Sequence, residues 1–537
     1  MIRLGLAARR RLGLVLAAAL LLAGCDGGGP VLRVVSGSEN EGLEPMVRDW
    51  AEDAGVTVEI DYRGSVEIAR ELARGADGDY DAVWPAHSLW LALGDTGRVV
   101  RHEASVLRSP IVLALKTAIA EDLGWTGRDD VTVAEIAEAA REGAFRLAMT
   151  SATQSNSGAQ GYLGFLYAYA GNPDVLTLNH LDDPAVREGV GGLLSEVDRS
   201  SGSSGWLRRA FVENPHAFDA MINYEAMAIE ANRAFLLDGE PALHVVYPAD
   251  APAVADSPLA YVERGQDEAV ERAFLDLQAH LLSPEVQRRL FALGRRAGLI
   301  GLSLDDPDRR VWNPDWGIDP NRAIAPLPTP SGEVVRAALA LYQEELRKPS
   351  ATVWVLDVSG SMEGEPLAEL KRAMRLVLDP EAAASAMLQP TPRDVTVVIA
   401  FNDRVAGSWR VDGADPQALG ALLAEIEGLG AGGGTDLYAA LVGALDRLDG
   451  LAAEGGFEAR LPAIVAMTDG ESDTENRARF LARLEAAGFA QGMPIHAVAF
   501  GQADEDQLGA LAEATVGRLF LAGDDLAGTL RKVKGYN

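Results

Sequence analysis

Asp357-Val358-Ser359-Gly360-Ser361 closes an apolar run, Ala351 to Leu356, that reads as a strand buried on both faces. A carboxylate and two hydroxyls, spaced two residues apart on the turn after a strand, can bring three oxygens to one point. Hard cations such as Mg²⁺ require such oxygens. Two distant loops supply matching groups: Thr435 in Gly432-Gly433-Gly434-Thr435-Asp436, and Asp469 in Thr468-Asp469-Gly470. Ser, Thr and Asp also serve as helix caps and turn residues, but three motifs at strand ends favour a metal. β-Branched runs at Thr352 to Leu356, Val395 to Phe401, Ala463 to Met467 and Ile495 to Phe500 predict buried strands. Between them, Pro366 to Leu378, Gln417 to Ile426, Leu437 to Leu448, Asn476 to Ala487 and Glu505 to Thr515 repeat apolar residues every three or four positions and predict helices. This alternation predicts an α/β fold with a doubly wound parallel sheet and right-handed crossovers. Ligands of such sheets bind beyond the carboxyl ends of the strands, where Asp357 and Asp469 are expected to meet.

In this order the three motifs resemble the metal-ion-dependent adhesion site of von Willebrand factor type A domains, over about Ser350 to Asn537. The resemblance implies a Rossmann-like domain holding Mg²⁺, with Mn²⁺ or Ca²⁺ as substitutes. It assigns Ser359, Ser361 and Thr435 to direct contact with the ion, and Asp357 and Asp469 to support largely through water. It also implies a protein partner that offers a carboxylate to the metal.

The other end of the chain addresses it. Arg3 and Arg9 to Arg11 precede an apolar stretch, Leu12 to Leu22, and Leu22-Ala23-Gly24-Cys25 resembles a bacterial lipobox. The apolar stretch is shorter than the roughly 20 residues of a settled membrane span. Cys25 is the single cysteine, so no disulfide forms within the chain. The lipoprotein resemblance implies lipidation at Cys25, a leader over residues 1–24, a tether over 25–30, and a location in the cell envelope, anchored on the extracytoplasmic side of the membrane. The formal charge of −31 disfavours nucleic acid and anionic lipid surfaces as partners.

Residues 31–316 form a second unit. Val31 to Ser36 reads as a strand leading through Ser36-Gly37-Ser38 to a helix from about Leu43. Val56 to Tyr62 leads through Arg63-Gly64-Ser65 to another helix, and Asp81 to Trp84 continues the pattern. Such loops present helix N-termini suited to an anion or polar solute. Pro110 to Leu115 and Phe145 to Met149 begin a further alternating unit, in which Ser151 to Gly158 opens a helix through Tyr169; Leu243 to Tyr247 is expected to return the chain to the first unit. Two α/β lobes and a closing helical stretch at Asp267 to Leu293 resemble a type 2 periplasmic solute-binding protein. The resemblance suggests Ser36, Ser38, Ser65, Ser157 and Tyr224 as solute contacts, although each is also a plausible cap or turn residue. Arg63, Arg70 and Arg108 are candidate cations, and Trp84 and Trp90 candidate aromatics, with no placement in a cleft; phosphate, molybdate, a sugar, a peptide or no solute all stay open. Residues 317–349, with Pro320, Pro326, Pro328 and Pro330, read as a linker and connecting helix.

Seven histidines without a clustered spacing, and no nucleophile that can be assembled with a base, argue against an enzyme. Two classes remain. One is a lipid-anchored protein for metal-dependent adhesion or assembly, with a ligand-binding two-lobed domain. The alternative is the substrate-binding component of an ABC-type transporter.

Overall fold

The computed structural model describes residues 29–297, 307–488, 493–523 and 525–534. The leader, Cys25 and most of the tether lie outside the described residues. Among those described, no helix is long and apolar enough to cross a membrane.

The first lobe is a five-stranded sheet in the order Thr57–Arg63, Val31–Gly37, Ala82–Trp84, Pro258–Val262, Val100–Ser105. The first three strands are parallel, and Pro258–Val262 runs antiparallel to both its neighbours. The second lobe is organised on the long strand Leu107–Lys116, which pairs antiparallel with Ala220–Tyr224; the sheet then continues in parallel through Leu147–Thr150 to Val197–Ser201. Leu243–Val246 pairs with Leu107–Lys116 inside this second sheet. The expectation that this strand returns the chain to the first unit is therefore corrected: Pro258–Val262 makes the return. A short apolar run announces a buried strand but carries no information on which sheet buries it.

The lobes are joined by two adjacent crossings, at residues 105–107 and 255–258. They are bonded to each other, Val106 N–H donating to the Ser257 carbonyl at 3.1 Å and the Ser105 hydroxyl to that of Asp256 at 2.5 Å. Neighbouring extended segments of this kind form a hinge in which a few residues absorb the backbone change.

In the C-terminal domain six strands run in the order Val405–Asp412, Val395–Phe401, Ser350–Asp357, Leu461–Thr468, Ile495–Ala499, Leu519–Leu521. All pairings are parallel except that of Val405–Asp412 with Val395–Phe401. That edge strand, largely exposed, corrects the expectation of a purely parallel sheet; it lacks the continuous apolar run by which buried strands are recognised. Along Ser350–Asp357 alternate side chains enter opposite cores. Val353 and Val355 pack with the face covered by Leu437–Glu454, Arg477–Ala486 and Glu505–Glu513. Trp354 and Leu356 pack with the face covered by Glu365–Leu378, Pro416–Glu427 and Leu526–Val533.

The connecting helix, Gly332–Leu341 and its extension to Leu346, packs on the second lobe, where the Tyr162 and Tyr342 rings lie 5.2 Å apart and the Tyr162 hydroxyl donates to the Ala338 carbonyl at 2.9 Å. Both lobes touch the C-terminal domain. Arg70 donates to the Ala386 carbonyl (2.7 Å), Gln154 to that of Arg531 (2.9 Å) and Arg199 to that of Val516 (2.9 Å), while Trp206 meets the His496 ring edge-on at 6.5 Å. Ser350 and Leu461, which begin two central strands, line the same interface as Ser151 and Thr153. The lobes therefore sit at the amino ends of the strands. Asp357 lies at the opposite edge, seven residues along its strand and roughly 23 Å away at the usual rise.

Candidate metal centre and solute cleft

Four of the five expected metal residues form one hydrogen-bonded chain. Asp357 Oδ1 accepts the Ser359 N–H at 2.7 Å; the Ser359 and Ser361 hydroxyls are 3.1 Å apart; the Ser361 hydroxyl donates to Asp469 Oδ1 at 2.6 Å. Thr468 donates its hydroxyl to Asp357 Oδ2 at 2.5 Å and so fixes the carboxylate from behind. Thr435 approaches through its loop. Gly432 N–H donates to the Val358 carbonyl (2.9 Å) and Gly360 N–H to that of Gly433 (3.0 Å), strapping the loop to the turn. Gly433 has φ +89° and Gly501, beside Asp469, has φ +62°, conformations that other L-residues rarely adopt. A Cβ at Gly501 would also stand 3.1 Å from that of Asp469.

The donor chemistry suits a hard cation. Asp357, Ser359 and Asp469 are buried, whereas Ser361 is exposed, so the cluster has an inner wall of oxygen and an open side. Burial pushes the Asp357 carboxyl above its ordinary range; hydrogen bonds from Thr468 and Ser359 oppose this, and the nearby Asp469 carboxylate adds to it. The two carboxylates and the Ser359 and Ser361 hydroxyls of this chain, with Thr435 on the strapped loop, would hold and neutralise such an ion. When bound, the metal would offer a Lewis-acidic position to a carboxylate from outside.

In the two-lobed unit the expected contacts are divided among several places. Ser36 accepts from Asn40 (3.2 Å) within the first lobe, and Ser65, at the start of the helix Ser65–Leu72, accepts from the Ala86 N–H (3.1 Å) of the same lobe. Ser38 reaches the other lobe, its hydroxyl accepting from Ser203 at 2.8 Å. Ser157 lies 2.7 Å from both Thr150 and Ser204 hydroxyls. Tyr224 accepts from Asn156 (3.0 Å), whose amide oxygen in turn accepts from the Trp90 indole of the first lobe at 2.6 Å. Trp84 instead donates to Ser257 at the hinge (3.0 Å). The lobes are in close contact: a Cβ on Gly64 would meet the Gln154 carbonyl oxygen at 2.1 Å, and Arg209 pairs with Glu41 at 2.5 Å.

Among the cavities along the closed cleft, two touch the expected solute contacts. One, of about 10 Å³, is lined by Glu39, Asn40, Tyr224 and Arg295. Glu39 Oε1, Asn40 Oδ1 and Arg295 Nη1 have no hydrogen-bond partner among the described residues. Burial pushes the Glu39 carboxyl up to about 7, against the pull of its own backbone and of Arg295. The other, of about 140 Å³, lies where both lobes meet the C-terminal domain and is bordered by Ser38, Gly64, Arg63 and Arg70. Arg108, the third candidate cation, points into neither.

Residues 32–296 match the family model described as bacterial extracellular solute-binding protein, and residues 352–471 match that described as von Willebrand factor type A domain. The chain joins a solute-binding domain to a type A domain. Among solved structures, it is similar to the ferric binding protein from Campylobacter jejuni, at 12% identity over 58% of this chain and 98% of that one, with a TM-score of 0.43. It is similar to the Azotobacter vinelandii periplasmic molybdate-binding protein at 16% identity over 49% and 98%, TM-score 0.34. A von Willebrand factor type A protein from Catenulispora acidiphila matches at 20% identity over 35% of this chain, TM-score 0.29; the chain spans 42% of that protein. No curated protein matches.

Both are families of binding domains. Several residues that complete these sites escaped the sequence reading. In the type A domain, Thr468 was quoted only as the neighbour of Asp469, yet it holds Asp357. In the solute-binding domain, Ser203 and Ser204 come from Ser200-Ser201-Gly202-Ser203-Ser204, a serine run denser than the one at 151–157 and readable by the same signal. Asn156 lay inside that first run.

Proposed function

We propose that this chain is an extracytoplasmic binding protein, lipid-anchored at Cys25, that docks a protein partner through a divalent metal on its type A domain while its solute-binding domain holds a small ligand. The observation that carries the reading is the Asp357–Ser359–Ser361–Asp469 chain at the strand edge facing away from the lobes, which leaves the metal position open to a partner's carboxylate. Mg²⁺ fits the oxygen donors, and Mn²⁺ or Ca²⁺ would compete for them.

The test is capture from solubilised envelope with Mg²⁺ or with EDTA, using Asp469→Ala as control. A partner retained only with metal and lost with the variant is expected. Equal capture in EDTA contradicts metal-mediated docking.

The two-strand hinge between the lobes favours a second reading, the substrate-binding component of an ABC-type transporter. In that case Asp469→Ala leaves solute uptake intact; uptake lost with the metal site would contradict a transport role independent of docking.

A further inference from the structure

Acidic residues outnumber basic ones 79 to 48 in this chain, yet the 140 Å³ cavity at the mouth of the cleft gathers Arg63, Arg70, Arg518, Arg531 and Lys532. A concentration of cations against so acidic a background calls for a counter-charge. The two carboxylates on its wall are already engaged: Glu67 pairs with Arg63, which also holds Asp61, and Glu41 pairs with Arg209. Arg70 donates to a neutral carbonyl, that of Ala386. Among the described residues Arg70, Arg531 and Lys532 form no ion pair, and Arg531 Nε is buried without a hydrogen-bond partner. Burial, followed by the neighbouring Arg531 charge, pulls the Arg70 guanidinium below its usual range, and the Glu67 carboxylate opposes this only in part. Like charges gathered in a half-buried cavity are unfavourable unless an anion neutralises them. The Ser38 hydroxyl, which accepts from Ser203 and is left to donate, adds to the wall.

We propose that this junction binds a small oxyanion of the phosphate or sulfate class, gripped by Arg70 of the first lobe and by Arg531 and Lys532 of the helix Leu526–Val533. Guanidinium forks and an ammonium are the groups that recognise such anions. The inference deepens the solute-binding reading, because Ser38 and Ser203 face each other across the cleft, but places the site where the type A domain supplies part of the grip. A bound anion fastens three parts of the molecule together.

Calorimetric titration of the whole chain in EDTA, so that the metal site contributes nothing, tests this with inorganic phosphate, sulfate and glycerol 3-phosphate. Binding of at least one is expected, weakened at least tenfold in Arg531→Gln/Lys532→Gln and again in Arg70→Gln on the other side of the junction. Arg410→Gln, on the outer edge strand, should bind as wild type. Tighter binding of glycerol 3-phosphate than of the free ions would identify an organic phosphate as the natural class; the reverse order, a free ion. Thermal melting of each variant without ligand separates lost binding from lost folding. Absence of binding by the wild type, or equal binding by both cavity variants, overturns the inference. A neutral solute bound alike by wild type and variants would leave the solute-binding reading standing and this inference refuted.

Discussion

Replacing Arg347 with methionine should cost about 3 kcal/mol of stability in the type A domain. Arg347 stands where the connecting helix enters the strand Ser350–Asp357 and presents a fork to Asp394, Nη1 to Oδ1 at 3.1 Å and Nη2 to Oδ2 at 2.5 Å. The side chains are only 14% and 3% exposed. Asp394 also accepts the N–H groups of Ser350 (2.6 Å) and Thr391 (2.7 Å), so it orients the first residue of the central strand. Removing one partner of a buried pair typically costs about 3–5 kcal/mol, because the remaining charge is uncompensated. The lower end applies here. Burial holds the Lys534 ammonium down at about 8, with Asp394 raising it and Arg347 lowering it; loss of Arg347 lets Lys534 take over part of the neutralisation. Burial alone would raise the Asp394 carboxyl, but the Arg347 charge and hydrogen bonds outweigh it and hold the group below its usual range. Stability from a lowered carboxyl is present above its unfolded pKa, about 3.9, and is lost as pH falls through the lower folded value. The difference between wild type and variant should therefore be complete at neutral pH and shrink below about pH 4. Urea unfolding followed by circular dichroism reads it, with Arg347→Met/Asp394→Asn as the companion that removes both charges, keeps an amide oxygen to accept from the Ser350 N–H, and should recover part of the loss. A loss under about 1 kcal/mol for the single variant, or a double variant no more stable than the single, refutes the argument.

Three further outcomes are expected. Gly501→Val, strained at φ +62° and pressed against Asp469, should raise the dissociation constant for Mg²⁺ at least tenfold while circular dichroism stays native; unchanged affinity would mean that Asp469 does not depend on this close approach. Thr468→Val removes the buried donor to Asp357 and should destabilise the metal-free protein by about 1–3 kcal/mol, measured by urea unfolding in EDTA. Asn156→Ala leaves the buried Trp90 indole N–H without its acceptor, at a cost of about 1–3 kcal/mol, while the Tyr224 hydroxyl keeps Ser204 as a partner; the loss of this bond between the lobes should open them, read as a larger radius of gyration in solution scattering, and an unchanged radius would show that closure rests on other contacts.

The type A domain was largely legible because its signals are local and strong. Short, β-branched apolar runs such as Val395–Phe401 favour a buried strand over a helix, and a carboxylate or hydroxyl immediately after such a strand lies at the sheet edge. Val405–Asp412 was not legible for the converse reason, since an exposed edge strand has no apolar run to betray it. The solute-binding domain was legible as elements but not as a site. Ser36, Ser38, Ser65 and Ser157 share one local pattern, a hydroxyl at or near a helix start, yet only Ser38 crosses between the lobes. Which serine faces a cleft depends on the hinge at residues 105–107 and 255–258, and no feature of the surrounding residues encodes that rotation. Nor could spacing reveal that Arg531, more than 450 residues from Arg70, would share its cavity.

Calorimetric titration of Mg²⁺ into the whole chain and into Asp469→Ala, each followed by an acidic peptide, addresses the metal-dependent docking account most directly. The account predicts one ion per chain for the wild type, peptide binding that requires the ion, and loss of both in the variant. Absence of Mg²⁺ binding by the wild type, or peptide binding indifferent to the ion, would contradict it.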